Sequence, residues 1–126
     1  RSPMAEAIFN DMAEKNGVCV RAESFGIATS TGLPVSENSV IACKEIGIDL
    51  SGKVSTAVAD AGIEKYEKFY CMSQSHAKML MQFFLVQPEK IAVLGISDPY
   101  GDIEVYRHCR DEIVNSVKEI LKAYEN

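Results

Sequence analysis

An alternation of two periodicities limits this chain more than any other feature. Three short β-rich runs, at residues 18–22, 68–72 and 90–94, stand between stretches whose apolar residues recur every three or four positions. Strands separated by helices pair in parallel through right-handed crossovers, and the helices cover the sheet. The run Lys90-Ile91-Ala92-Val93-Leu94 is short and apolar, which suits burial on both faces. The expected class is therefore α/β, three layers (α/β/α) around a small parallel sheet. With 126 residues, 47% of them hydrophobic, the chain makes one domain, residues 1–126, and is too short for two.

Local signals set the helices. Ser2 is a capping residue and Pro3 suits the first helical position. Ala5, Ile8, Phe9 and Met12 then recur at helical spacing until Asn16-Gly17 stops the run. Ser36 caps a second helix that ends at Gly47, and residues 55–66 read as helical with a break near Gly62. The second β run leads straight into Ser73-Gln74-Ser75-His76 and an apolar helix through Phe84. From Ile103 onward, Tyr106, Cys109, Ile113, Val117, Ile120, Leu121 and Tyr124 mark one long amphipathic helix. Arg107, Arg110, Asp111, Lys118 and Glu119 lie largely off that stripe, as on a solvated face.

Charge and cysteine usage exclude several function classes. A formal charge of -5 argues against a reader of nucleic-acid backbones. The longest apolar stretch, from Met79 to Val86, is interrupted by Gln82 and falls far short of the roughly 20 residues that span a bilayer. Neither nucleic acid nor membrane is an expected partner, and no secretory leader is visible. Cys19, Cys43, Cys71 and Cys109 form no C-x-x-C pair and lie in apolar contexts. They read as buried, reduced thiols of a cytoplasmic protein, with no metal and no cofactor implied.

Two stretches carry chemistry. The free N–H groups and the dipole of the helix that opens at Ser2-Pro3 attract phosphate, and Arg1 adds a planar fork of donors beside them. Asp98-Pro99-Tyr100-Gly101 lies just after the last β run, and ligands of parallel sheets bind beyond the carboxyl ends of the strands. His76, one of two histidines, sits on the first turn of a helix, where a satisfied or surface side chain is the ordinary reading.

Arg1-Ser2-Pro3-Met4-Ala5-Glu6-Ala7 resembles the end of the phosphate-binding loop and the start of the first helix in low-molecular-weight protein tyrosine phosphatases. In that family a cysteine, five residues and Arg-Ser close the loop, and Arg1 and Ser2 match its last two positions. Asp98-Pro99-Tyr100 resembles the Asp-Pro-aromatic loop that carries the family's general acid. Gly47-Ile48-Asp49-Leu50-Ser51-Gly52 resembles a turn of the same family, with Lys53 where a histidine commonly follows. Ser24-Phe25-Gly26 matches its Ser-Ala-Gly sequence except for Phe25. His76 and the wording of residues 103–110 lean toward the Gram-positive bacterial branch that contains both tyrosine and arginine phosphatases.

The resemblance implies a mechanism. A cysteine thiolate six residues before Arg1 attacks phosphorus while Arg1 binds two equatorial oxygens. Ser2 hydrogen-bonds the thiolate. Asp98 protonates the leaving group and its carboxylate then activates water against the cysteinyl-phosphate, while Tyr100 forms an aromatic wall for the substrate. No cysteine in this sequence is followed by arginine six positions on. An N-terminal strand and the nucleophile loop are therefore expected ahead of Arg1, making four strands in the intact sheet, three of them here. The implied substrates are a phosphorylated protein, on tyrosine or arginine, or a small aryl phosphate, with inorganic phosphate or sulfate fitting the anion site. The competing readings are a non-catalytic phosphate-binding remnant and a thioredoxin-coupled arsenate reductase, which requires further redox cysteines beyond Cys71.

Overall fold

The computed structural model describes residues 2–26, 32, 35–54, 56 and 62–124. In chain order it contains α1 (Ser2–Lys15), α2 (Glu37–Lys44), a 3-10 turn (Ile63–Lys65), β1 (Phe69–Cys71), α3 (Gln74–Phe83), a 3-10 turn (Pro88–Lys90), β2 (Ile91–Val93) and α4 (Ile103–Lys122). β1 and β2 pair in parallel, with Phe69 opposite Ile91 and Cys71 opposite Val93. The fold is α/β with a small parallel sheet, as the alternation required.

Among the described residues the sheet has two strands rather than three. Residues 18–22 form no ladder, and at Ala22 a side chain of α1 takes the backbone polar groups. Asn10 donates through Nδ2 to the Ala22 carbonyl at 3.0 Å, and its Oδ1 accepts from the Ala22 N–H at 2.8 Å. One side chain thus satisfies both backbone groups that a neighbouring strand would have bonded. The helix expected over residues 55–66 lies partly outside the described residues. Its described end is the 3-10 turn, opened by Gly62 at φ 68°, where the break was expected.

Two apolar clusters surround the sheet. Phe69, Cys71, Ile91 and Val93 pack with Ala77 and Leu80 of α3, and Phe25 joins them, its ring 5.9 Å from Tyr66 and 6.3 Å from Phe69. The larger cluster joins Met4, Ile8 and Ala13 of α1, Cys43 of α2, and Cys109, Ile113, Val117 and Leu121 of α4. It also holds Met72 and Ile96, just past the ends of the two strands. Tyr70, which alternates with Phe69 and Cys71, turns away from α3 and hydrogen-bonds Tyr124, just past the end of α4. The sheet therefore lies between α3 and the group of α1, α2 and α4.

Ser36 caps α2 as expected, and the structure adds caps at Ser73 and Asp102. Ser36, Ser73 and Asp102 accept from backbone N–H groups at the starts of α2, α3 and α4. α1 already includes Ser2, expected as its cap, and Pro3 occupies the first turn, where its lack of an N–H leaves no hydrogen bond unmade. Gly47 at φ 82° closes α2, letting the Ile48 N–H reach the Cys43 carbonyl at 3.0 Å.

Arg107 and Arg110 depart from the solvated-face reading. Their stems carry the guanidinium groups across to α2, where Arg107 Nη2 lies 2.7 Å and Arg110 Nη1 2.8 Å from the Glu45 carboxylate. Arg110 also donates to the Ala42 carbonyl at 3.0 Å. These contacts hold the Glu45 carboxyl below the usual carboxylate range, chiefly through the Arg107 hydrogen bonds.

Two measurements check this description. A depressed carboxyl pKa contributes stability above the unfolded-state pKa, and the contribution is lost as pH falls through the folded-state value. Urea midpoints of the wild type should therefore fall on acidification more than those of Glu45→Gln. Leu85, 83% exposed, takes the left-handed turn after α3 with φ 56°, a position that favours glycine. Leu85→Gly relieves that strain without uncovering core, and calorimetry should show stability raised by about 1 kcal/mol.

Candidate active site

The ladder between the strands continues past their ends. The Leu94 N–H bonds the Cys71 carbonyl at 2.7 Å and the Ile96 N–H bonds the Met72 carbonyl at 3.0 Å. Ile96 is buried, and after it the chain leaves the sheet at its carboxyl edge. Asp98 is exposed, Pro99 is buried beneath it, and Tyr100 stands out at 74% exposure before Asp102 caps α4. The Tyr100 hydroxyl donates to Asp98 Oδ2 at 3.1 Å. A buried proline with a fixed φ thus displays a carboxylate and a phenol side by side at the edge where ligands of such sheets bind.

The first turn of α1 is the second component. Met4 on that turn shares the large cluster with Ile96, at the root of the Asp98 loop. One core therefore fixes both segments. Ser2 and Glu6 are one turn apart on the same face of α1. Glu6 is anchored on both oxygens: Oε1 accepts from the Ser24 N–H at 2.7 Å and the Ser24 hydroxyl at 2.9 Å, and Oε2 pairs with Lys53. Its side chain is 13% exposed, so the pair is shielded from solvent screening.

Of the four expected site residues, the structure brings Asp98 and Tyr100 into direct contact and sets Ser2 in the first turn of α1. Arg1 lies outside the described residues. His76 occupies the first turn of α3, its N–H accepted by the Ser73 hydroxyl at 3.4 Å. Sequence reasoning missed Glu6 and Lys53 as partners. The available signal was a carboxylate one turn after Ser2, set between Ala5 and Ala7, with a lysine in place of the expected histidine.

The cysteines do not form a nucleophile site. All four thiols are free, and Cys43, Cys71 and Cys109 are buried as expected, whereas Cys19 is exposed because residues 18–22 have no sheet neighbour. Burial pushes the Cys43 thiol up to about 11, well away from a thiolate at neutral pH. Among the described residues no group of three or more His, Cys, Asp or Glu side chains can hold a metal ion, and no helix is long and apolar enough to cross a membrane.

The family described as low molecular weight phosphotyrosine protein phosphatase matches residues 1–126, the whole sequence. The chain belongs to this family. A protein-arginine-phosphatase of Bacillus subtilis (strain 168) is 28% identical over 132 residues, which cover 97% of this chain and 87% of that protein. The crystal structure of a low molecular weight protein tyrosine phosphatase from T. tengcongensis superposes with a TM-score of 0.91 at 28% identity, covering 98% of this chain and 90% of that one. A YwlE arginine phosphatase mutant with a phosphorylated active-site serine superposes with a TM-score of 0.89 at 27% identity, covering 96% and 86%. These low molecular weight phosphatases share the architecture described above.

Within the phosphatase fold, Glu6 joins α1 to two segments that are distant in sequence. Glu6→Ala leaves the Ser24 N–H and Lys53 without their partner and should cost about 2 kcal/mol in urea unfolding. Glu6→Gln, which keeps an acceptor for Ser24, should cost less. Equal losses would mean that the ion pair, and not the acceptor, holds the segment.

Proposed function

We propose that the protein hydrolyses phosphate from phosphorylated proteins, on tyrosine or arginine, and from small aryl phosphates, through a cysteinyl-phosphate intermediate. The observation that carries this reading is the Asp98 loop: an exposed carboxylate, set by a buried proline, at the carboxyl edge of a parallel sheet in a chain of the phosphatase family. The nucleophile is the cysteine that the family motif places six residues before Arg1. Arg1 binds two equatorial oxygens of the phosphoryl group, and the first N–H groups of α1 share their charge. The Ser2 hydroxyl donates to the thiolate and lowers its pKa.

Asp98 protonates the departing oxygen or nitrogen. As a carboxylate it next takes a proton from the water that opens the cysteinyl-phosphate. Tyr100, exposed beside it, flanks the substrate side chain, and Gly101 leaves the rim open. Inorganic phosphate, and sulfate in its place, fits the same anion site. Both phosphotyrosine and phosphoarginine stay in the proposal because relatives of similar identity carry both names. Free thiols fit a cytoplasmic setting.

Two other readings lose ground on particular residues. A phosphate-binding remnant has no use for a carboxylate at the anion site, where it repels the ligand. An arsenate reductase needs redox cysteines after the strand that ends at Cys71, a thiol that is buried and whose pKa burial raises.

The test is Asp98→Asn in the full-length protein. With phenyl phosphate, a poor leaving group, kcat/KM should fall roughly 100-fold or more, the scale of general acid catalysis. With p-nitrophenyl phosphate the loss should be smaller, and the urea midpoint should stay near wild type. Unchanged turnover of phenyl phosphate would remove Asp98 from the mechanism. Comparing kcat/KM on phosphotyrosyl and phosphoarginyl peptides then decides the substrate.

A further inference from the structure

Asn38 lies on the first turn of α2, half-buried, and its Nδ2 donates to the Gly101 carbonyl at 3.1 Å. The bond joins residues 63 apart in sequence and reaches the Asp98 loop from outside it. Gly101 has a φ of 87°, in the left-handed region, and nothing lies within 4 Å of where its Cβ would be. It is therefore the joint of the loop with the widest backbone freedom. On one side of Asp98 the buried Ile96 is tied to Met72, and Pro99 fixes the next φ. On the other side, the orientation of the loop against α4 turns on the Tyr100–Gly101 peptide, whose neighbouring carbonyl Asn38 holds.

The donor itself is held. Asn38 and Glu45 are two turns apart on one face of α2. Glu45 is gripped by Arg107 Nε at 3.0 and 3.1 Å, by Arg107 Nη2 at 2.7 Å and by Arg110 Nη1 at 2.8 Å, all from α4. α2 is thus fixed along α4 at its far end, with Asn38 at the start of α4, where the Asp98 loop enters. We infer that Asn38 is a positioning residue for the general acid: through the Gly101 carbonyl it fixes the approach of Asp98 to the leaving group. This rests on the reading of Asp98 as the acid.

Proton donation matters most when the leaving group is poor, so loss of the donor has a particular signature. Asn38→Leu keeps the side-chain shape and removes the N–H, and Asn38→Ala removes it without added bulk. Both are made in the full-length protein, alone and with Asp98→Asn. Each should lower kcat/KM for phenyl phosphate threefold to tenfold, the effect of one ordinary hydrogen bond. Each should change kcat/KM for p-nitrophenyl phosphate less than twofold and add no further loss in the Asp98→Asn background.

An equal loss on both substrates, or the same loss on top of Asp98→Asn, would overturn the inference, since the side chain would then act on the fold at large. So would wild-type values for both Asn38 variants. The two failures are separable. If Asp98→Asn itself leaves the leaving-group dependence unchanged, the acid assignment falls and takes the positioning role with it. If Asp98→Asn shows the dependence and the Asn38 variants do not, only the positioning role falls.

Discussion

The packing of α1 on α4 is the constraint on which the rest depends. Met4, Ile8 and Ile113 are fully buried and Leu121 is 1% exposed, and all four share the cluster that joins the two helices. Each such side chain, once buried, contributes on the order of 2 kcal/mol. The two ends of the candidate site hang from this cluster: the first turn of α1 through Met4, and the Asp98 loop through Ile96. A helix of 20 residues spans about 30 Å. That length lets α4 seat α1 and α2 while its capped start receives the loop. The relative placement of the α1 start and the root of the Asp98 loop therefore depends on the core.

Carboxylates in this structure have separate roles because their surroundings differ. Glu6 is nearly enclosed, with both oxygens engaged, and it ties two distant segments to α1. Glu45 is open to solvent yet held by two guanidinium groups, and it fixes α2 on α4. Asp98 is exposed and accepts a hydrogen bond from the Tyr100 hydroxyl. An exposed position suits the proton exchange proposed for Asp98, whereas groups that hold segments together need charged or fixed partners.

Much of the architecture was legible because it rests on short-range rules. The capping Ser36, the glycine after α2 and the four-residue spacing of Cys109, Ile113, Val117 and Leu121 each reflect steric and hydrogen-bonding demands within one or two turns. The β run at 18–22 has no ladder partner among the described residues, and the long-range contact of Asn10 on α1 with Ala22 was not legible in it. The same distance hid the roles of Arg107, Arg110, Asn38 and Lys53. A guanidinium or ammonium on a helix or loop reads as solvated until the element opposite it is known, since its stem can reach across to another helix.

The sequence by itself determined the α/β class, the positions of α1 to α4, the parallel pairing of the two short strands and the two stretches that resemble the phosphatase family's phosphate loop and acid loop. Periodicity, capping and motif spacing are local properties, and a single chain displays them directly. Only the tertiary structure decided which carboxylate became an anchor and which stayed exposed, that α2 is clamped along α4, and that the Gly101 carbonyl meets Asn38. Those outcomes depend on residues brought together from as far as 63 positions apart, and packing of the core, which no local pattern encodes, sets which of them meet.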